Sequence, residues 1–328
     1  MTDTESRREK EGPSVRDRVM GIFLVPGAEA FDTRQLRDLS NSLPACFSGP
    51  AMAFLASLEA SVSVLCLPTC LAMASAEEWR FRQLHIAERI RAGTDPDFDA
   101  DSPKESAAIE KARHLFAEEM ASKETINHLA DHACAFLLSQ HSQPHVADAA
   151  AGLLLQGVVL VWSAFEVLAR DVFEAIVNAR PALGRALLES VDGKRLFQVK
   201  AIDLNTLARY SFDLSKCMGS VLSEFRDLSD LAAIRGVLSS LLPNAELLRT
   251  LLGSKDLWVL SQRRHLIVHN RGVVDRKYIE QTGATDEEGK RLRLQPADIE
   301  LYVGLVRDLG CALLAAAQEA LASSREDR

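Results

Sequence analysis

The residues best suited to chemistry are concentrated in one segment, residues 261–275, which reads SQRRHLIVHNRGVVD. Its arginines and histidines are Arg263, Arg264, His265, His269 and Arg271. An arginine keeps its charge near neutral pH, whereas a histidine can give or accept a proton there. Together the two residue types supply what metal-free cleavage of a phosphodiester requires, a proton-transfer group and a cation for the phosphate oxygens.

The charge around this segment is positive on an otherwise acidic chain. Residues 261–277 hold five basic side chains and one acidic side chain, Asp275, so their net charge is +4 with neutral histidines. The whole 328-residue chain has a net charge of -8. A basic segment on an acidic protein predicts a local anion site, not a surface that coats nucleic acid.

The geometry of a helix limits what this segment can do alone. Successive residues of an α-helix turn by about 100°, so Arg264 and His269 point roughly 140° apart, while His265 and His269 point roughly 40° apart. One intact helix therefore does not direct Arg264 and His269 at the same phosphate. Two solutions remain open: the helix breaks at His269, or two copies of the chain face each other.

The spacing of Arg264 and His269 is weak evidence by itself, because Arg80 and His85 have the same spacing. The surrounding residues are more informative. The string RRHLIVHN, followed by GVVD, resembles the signature of HEPN domains (higher eukaryotes and prokaryotes nucleotide-binding). The motif therefore predicts a HEPN-like domain.

The resemblance extends upstream of the motif. Residues 156–177 (QGVVLVWSAFEVLARDVFEAIV) are similar to the first long helix of the family, with its inward acidic residue. Residues 207–222 (LARYSFDLSKCMGSVL) resemble the segment between that helix and the motif. The similarity covers about 148–322 and does not reach the first 140 residues.

Two acidic residues stand out in the long apolar helix predicted over 146–179. Glu166 and Asp171 follow a stretch that is apolar on nearly all sides, which predicts a helix buried among others. A buried carboxylate without a partner is costly. Two interpretations stay open: Asp171 is exposed and Glu166 pairs structurally, or Glu166 orients Arg264 or its neighbour.

The resemblance also implies an assembly and a mechanism. HEPN domains usually pair, so that motifs from both protomers line one cleft. A ribose 2′-hydroxyl would attack its own phosphate, with His269 as general base or acid and Arg264 on the non-bridging oxygens. No metal or cofactor is expected. In supporting roles, Arg263 and Arg271 would hold the RNA backbone, and Asn270 and His265 would orient their neighbours.

A second class of function competes with this ribonuclease. The resembled superfamily includes noncatalytic members that bind nucleotides or partners, so the alternative is that the same polar groups stabilise a dimer interface or a buried network without turnover. For the enzyme, the resemblance implies a toxin or phage-defence role with an antitoxin or regulatory protein as partner. The sequence does not indicate the role of the first 140 residues. If the ribonuclease is latent, these residues are expected to inhibit it.

Composition and local signals set the organisation of the chain. Hydrophobic content of 47% and aromatic content of 6%, with abundant Ala and Leu, predict an all-α protein. We expect a disordered tail over 1–14, a helical N-terminal region over 15–145 and a HEPN-like helical bundle over 146–328. The Asp- and Pro-containing tract 93–106 has the composition of a linker. Asp256 is expected to cap the motif helix from Leu257, and the helix should end in left-handed backbone at Asn270 to Gly272.

Three further features bear on location and metals. The six cysteines show no C-x-x-C spacing, and the polar N-terminus lacks an apolar signal core, so a cytoplasmic protein is expected. The apolar stretch 51–75 predicts a buried helical pair broken near Pro68, with a membrane span as the alternative. The histidines at i, i+4 spacing, which are candidate zinc ligands but more simply packing residues, are His128, His132, His141 and His145.

Overall fold

The chain is all-α, as its composition predicts. The computed structural model describes residues 13–93, 102–197 and 202–322. It is 79% helical. In these residues there is no strand, only an isolated antiparallel bridge between Val273 and Arg291. Most of the predicted tail over 1–14 and of the linker over 93–106 falls outside them.

The α-helices vary from one and a half turns to ten turns, and a short 3-10 helix lies at Glu29–Phe31. In chain order the α-helices are α1 (Val15–Met20), α2 (Arg34–Ser42), α3 (Ala45–Leu65), α4 (Leu67–Arg91), α5 (Pro103–Met120), α6 (Lys123–His141), α7 (Pro144–Ala179), α8 (Pro181–Glu189), α9 (Val191–Phe197), α10 (Leu204–Arg209), α11 (Met218–Phe225), α12 (Leu231–Leu241), α13 (Glu246–Leu252), α14 (Lys255–Asn270), α15 (Arg276–Thr282) and α16 (Pro296–Ala322).

The chain divides into two compact units, and neither is continuous in sequence. Unit 1 contains Met1–Pro26 and Leu65–Gly152, and unit 2 contains Gly27–Val64 and Leu153–Arg328. The predicted boundary at 145/146 lies near one of these divisions. No local sequence signal indicates that residues 27–64 group with the C-terminal part. A deletion of the first 140 residues would therefore remove a part of unit 2.

Unit 1 is a small helical bundle built on α4. Apolar residues of α1, α4 and α6, including Val19, Ala72 and Leu129, form its core. Two candidate zinc histidines pack against aromatic rings: His132 stacks on Trp79 at 4.6 Å between ring centroids, and His141 lies edge-on to Phe23 at 5.8 Å. In the parts of the chain that are described, no group of three or more His, Cys, Asp and Glu side chains could hold a metal.

Unit 2 contains the motif and is centred on the buried faces of α7 and α16. The least exposed side chains of these two helices include Phe165, Phe173, Val306 and Leu313. Helix α3 approaches α16 closely where Phe54 lies over Gly310. A Cβ atom at position 310 would lie only 2.1 Å from Cε1 of Phe54, so the packing requires glycine there.

The apolar stretch 51–75 is divided between two helices, as predicted. Helix α3 ends at Leu65, α4 begins at Leu67, and Pro68 lies in the first turn of α4. Helices α3 and α7 are long and apolar enough to cross a membrane by length and composition alone. The buried share of the apolar window is 33% in α3 and 50% in α7, and core helices of soluble proteins pass the same test. They are therefore weak evidence for a membrane span.

Candidate functional site

The motif lies on helix α14, which remains regular through both predicted catalytic residues. The hydroxyl of Ser254 accepts a hydrogen bond from the backbone N–H of Leu257 at 3.3 Å and caps the helix. The expectation that Asp256 is the cap is wrong, because the helix begins at Lys255, two residues earlier than expected, and Asp256 lies in its first turn. Serine and aspartate are both good N-cap residues, so residue type alone does not decide between Ser254 and Asp256.

The helix ends where left-handed backbone was expected. Arg271 has φ 56° and Gly272 has φ 75°, and the N–H of Gly272 donates to the carbonyl of Leu266 at 3.1 Å. This is a common way for a helix to satisfy its last carbonyls. His269 lies before the termination, so the helix does not break there. Within one chain, Arg264 and His269 therefore stay on different sides of α14.

Arg263 is bound inside unit 2. Its Nη1 donates to Asp298 at 2.8 Å and to the hydroxyl of Tyr302 at 2.7 Å, and its Nε donates to the hydroxyl of Tyr278 at 3.3 Å. The guanidinium also lies 5.7 Å from the centre of the Tyr302 ring. Burial alone lowers the pKa of Arg263, but Tyr302, Asp298 and Tyr278 outweigh it and the net pKa is raised. Burial also raises the pKa of Tyr302 to about 12.

Arg264 has looser contacts than Arg263. Its Nη2 lies 3.4 Å from Oε2 of Glu166 on α7, and the same oxygen accepts a 2.8 Å hydrogen bond from the indole N–H of Trp162. The side chains of Arg264 and Glu166 are each 24% exposed. The buried Nε of Arg264 has no hydrogen-bond partner in the described protein. Glu166 thus faces Arg264, which both sequence interpretations of this carboxylate allow.

Burial is the largest influence on Glu166. Desolvation raises the pKa of its carboxyl group, and the hydrogen bond from Trp162 and the charge of Arg264 lower it by less. The net pKa is raised. Asp171, the other acidic residue of this helix, pairs with its neighbour Arg170 at 3.0 Å.

The two motif histidines form an exposed pair. Their ring centroids are 4.5 Å apart, with the planes tilted by 44°. Desolvation lowers the pKa of His265, and the charges of His269, Lys277 and Arg264 lower it further. Near neutral pH His265 is therefore mostly uncharged, able both to donate and to accept a hydrogen bond.

The last two predicted site residues follow at the end of α14. The amide of Asn270 donates to Oδ2 of Asp275 at 2.5 Å, while Oδ1 of Asp275 accepts from the backbone of Tyr278 and caps α15. Asn270 thus fixes the turn that carries the chain from α14 to α15. Arg271 is exposed at that turn, in the left-handed conformation.

A polar cleft of about 280 Å³ opens beside Arg264 and His265. Helices α7, α12, α14 and α15 and the residues before α12 contribute to it. We call it the α14 cleft, and its lining residues are Trp162, Ser229, Asp230, Leu231, Ala232, Trp258, Ser261, Gln262, Arg264, His265, Lys277 and Gln281. His269 is not among them. The site residues are thus divided between the cleft and the exposed surface next to it.

Sequence reasoning missed most of this cleft. Trp258 and Gln262 precede the motif on the same helix, at i−7 and i−3 from His265, so the three residues share one face, and this spacing was the available signal. Lys277 and Gln281 come from α15, and Trp162 comes from α7. Only the tertiary packing of these helices brings the five residues together.

Comparison with known protein families, curated proteins and solved structures gave no match. The resemblance to HEPN domains therefore rests on the motif residues and the helical context, and it stays a prediction.

Proposed function

We propose that the protein is a metal-independent endoribonuclease of the HEPN type that acts as a homodimer. The observation that carries the proposal is the arrangement on α14. Arg264 borders a cleft and has a buried Nε without a hydrogen-bond partner in the described protein. An exposed histidine pair follows on the same unbroken helix. These are the cation and the proton-transfer groups that the reaction needs.

In the proposed reaction the RNA supplies its own nucleophile. His269 as general base takes the proton of a ribose 2′-hydroxyl, and the oxygen attacks the adjacent phosphorus. The bond to the 5′-oxygen breaks, and that oxygen leaves with a proton from a general acid. The products are a 2′,3′-cyclic phosphate and a 5′-hydroxyl. Arg264 stabilises the charge on the non-bridging oxygens, and DNA is inert because it lacks the hydroxyl.

The dimer follows from the course of the helix. Because α14 is intact, Arg264 and His269 of one chain point about 140° apart. A second copy that faces the first would place His269 of one protomer near Arg264 of its partner. The exposed Val268, 48% accessible between the two motif residues, gives such a surface an apolar contact. We further propose a toxin or phage-defence role in the cytoplasm, with an antitoxin or regulatory partner.

The motif residues divide into two groups by their accessibility. His265 and Arg271 are exposed and therefore accessible to RNA, and His265 also lies against His269. Arg263 is only 16% exposed and has three polar partners, so a direct contact with the RNA backbone would require it to give up those bonds. Glu166 pairs with Arg264, and Asn270 stabilises the turn after α14 through its hydrogen bond to Asp275.

A noncatalytic module is the second candidate. It is favoured by the position of His269 outside the cleft that Arg264 lines, and by the pairing of Arg264 with Glu166. In this case the cleft binds a nucleotide or a partner protein without turnover.

The deciding experiment is cleavage of a labelled single-stranded RNA in EDTA by the full-length protein. Arg264→Ala and His269→Ala are each expected to lower the rate by about 100-fold or more, the usual cost of losing one such group. The matched controls are Arg185→Ala and His114→Ala, whose side chains are 82% and 74% exposed and lie outside the site. Both controls should cleave at the wild-type rate.

The end groups and the sugar complete the test. The fragments should carry a cyclic phosphate, and the same sequence as DNA should remain intact. No cleavage by the wild-type protein, or equal loss of rate in the controls, would favour the noncatalytic module.

A further inference from the structure

The α14 cleft is lined by more cationic than acidic side chains, although Glu166, just outside the lining, pairs with Arg264 at 3.4 Å. It is lined by two cations, Arg264 and Lys277, and by one acidic residue, Asp230. The carboxylate of Asp230 is already engaged, because it caps α12 through Ala233 at 2.7 Å and pairs with Arg226 at 2.9 Å. Lys277 is exposed and forms no ion pair with the described residues. The cleft is therefore suited to an anion.

Arg264 has hydrogen-bonding capacity to spare. Its contact with Glu166 is long, at 3.4 Å, and its Nε is buried without a partner. A buried donor left unpaired lowers the stability of the folded state. If the guanidinium turns toward the cleft, a phosphate oxygen accepts from this N–H and removes that cost, and a guanidinium can bind phosphate through two N–H groups at once.

The other lining residues suit a nucleobase better than a bare anion. Trp258 gives the cleft an indole side chain that is neither fully buried nor fully exposed. Gln262 and Gln281 each carry a donor and an acceptor, the complement of a base edge. The cleft of about 280 Å³ is slightly smaller than pockets for drug-sized molecules, which hold about 300 to 1,000 Å³, so it suits at most one nucleotide.

We propose that the α14 cleft is a single-nucleotide subsite that selects the base. In it Trp258 stacks on the base, the amides of Gln262 and Gln281 bind its edge, and Arg264 and Lys277 bind its phosphate. A purine is preferred, since its larger ring system covers more of the indole. As a specificity site for RNA cleavage this inference rests on the proposed function, whereas the binding itself can be measured without turnover.

The test is calorimetric titration of the full-length protein with 5′-AMP, 5′-CMP and inorganic phosphate. AMP should bind at least about tenfold more tightly than phosphate, with CMP in between, because stacking on an aromatic side chain contributes about 1 to 3 kcal/mol per base. Trp258→Leu should weaken AMP binding about tenfold and leave phosphate binding unchanged. Arg264→Ala should weaken the binding of both.

Two variants guard against misfolding. Trp79→Leu makes the same change at a 46% exposed tryptophan of unit 1 and should bind AMP like the wild type. Gln281→Ala changes an exposed side chain and should weaken AMP binding severalfold with an unchanged far-UV circular dichroism spectrum. Equal affinities for AMP and phosphate, or AMP binding that is the same in Trp258→Leu and Trp79→Leu, would overturn the subsite.

The failure of this subsite and the failure of the ribonuclease are distinguishable. Selective AMP binding without RNA cleavage would reject the ribonuclease and keep a nucleotide site. Cleavage that depends on Arg264 and His269, but has the same base preference in Trp258→Leu, would keep the ribonuclease and reject the subsite.

Discussion

Arg263 and Arg264 are adjacent in sequence, yet they lie in opposite environments on the two sides of α14. Arg263 belongs to an inner network with Tyr278, Asp298 and Tyr302, in which its donors meet partners at 2.7 to 3.3 Å. Arg264 borders the α14 cleft, with one long contact and an unpaired Nε. The difference indicates that the charge of Arg263 stabilises the fold, whereas the charge of Arg264 is available to a ligand.

The physical basis of the difference is the number of satisfied donors. A guanidinium with several short hydrogen bonds and a partly buried counter-ion would lose those contacts if it turned toward a ligand. A guanidinium with an unpaired donor gains from a new acceptor. Two neighbouring arginines can thus have different roles although their sequence context is nearly the same.

The largest expected effect concerns stability. Arg263→Ala leaves Asp298 partly buried without its counter-ion, so we expect a loss of about 3 kcal/mol in the free energy of unfolding. Arg264→Ala should cost only about 1 kcal/mol, because its single contact is long and Glu166 keeps the hydrogen bond from Trp162. Urea denaturation followed by circular dichroism measures both.

The exposed Arg185→Ala serves as the control for these variants and should unfold like the wild type. If Arg264→Ala destabilised the protein as much as Arg263→Ala, the distinction between the two sides of α14 would be lost.

A smaller effect concerns pH and Glu166. Since the folded protein raises the pKa of this carboxyl group above its usual value of 4.5, the folded state binds the proton more tightly than the unfolded state. The contribution of Glu166 to stability is therefore complete below its usual pKa and is lost as the pH rises through the folded pKa.

Glu166→Gln provides the measurement, because glutamine does not titrate and its carbonyl can still accept from Trp162. The stability of the wild type relative to this variant should fall as the pH rises from the usual pKa of 4.5 through the raised pKa of the folded state. A difference that stayed constant or rose over this range would show that burial does not control the carboxyl group.

The smallest expected effect is in the histidine pair. Burial is the main cause of the lowered pKa of His265, and the charge of His269 is the next. His269→Gln removes the second cause, so the pKa of His265 should rise towards its usual value without reaching it. Proton NMR titration of the His265 ring measures the shift, and an unchanged pKa would mean that the rings do not interact in solution.

Local sequence signals predicted the elements better than their partners. Helix α14 was expected from a capping residue at its start, and its end at Asn270 to Gly272 was expected from the residues that tolerate left-handed backbone. Its first residue was misplaced because Ser254 and Asp256 are both good caps. A contact between Glu166 and Arg264 was one of two interpretations of the sequence, because a buried carboxylate without a partner is costly.

The division into units lay beyond these signals. Residues 27–64 carry no motif that links them to the C-terminal part, and their place in unit 2 depends on contacts such as that of Phe54 with Gly310. Packing complementarity of this kind involves the shapes of side chains far apart in the chain, which periodicity does not encode.

The sequence by itself determined that the protein is helical, that one segment is basic on an acidic chain, and that an unbroken helix over this segment would place Arg264 and His269 on different sides. These properties follow from composition and from the 100° turn per residue. Only the tertiary structure decided that Arg263 is bound inside and that Arg264 borders a cleft. Their partners, Asp298 and Glu166, lie 35 and 98 residues away, and only the packing of helices brings them close.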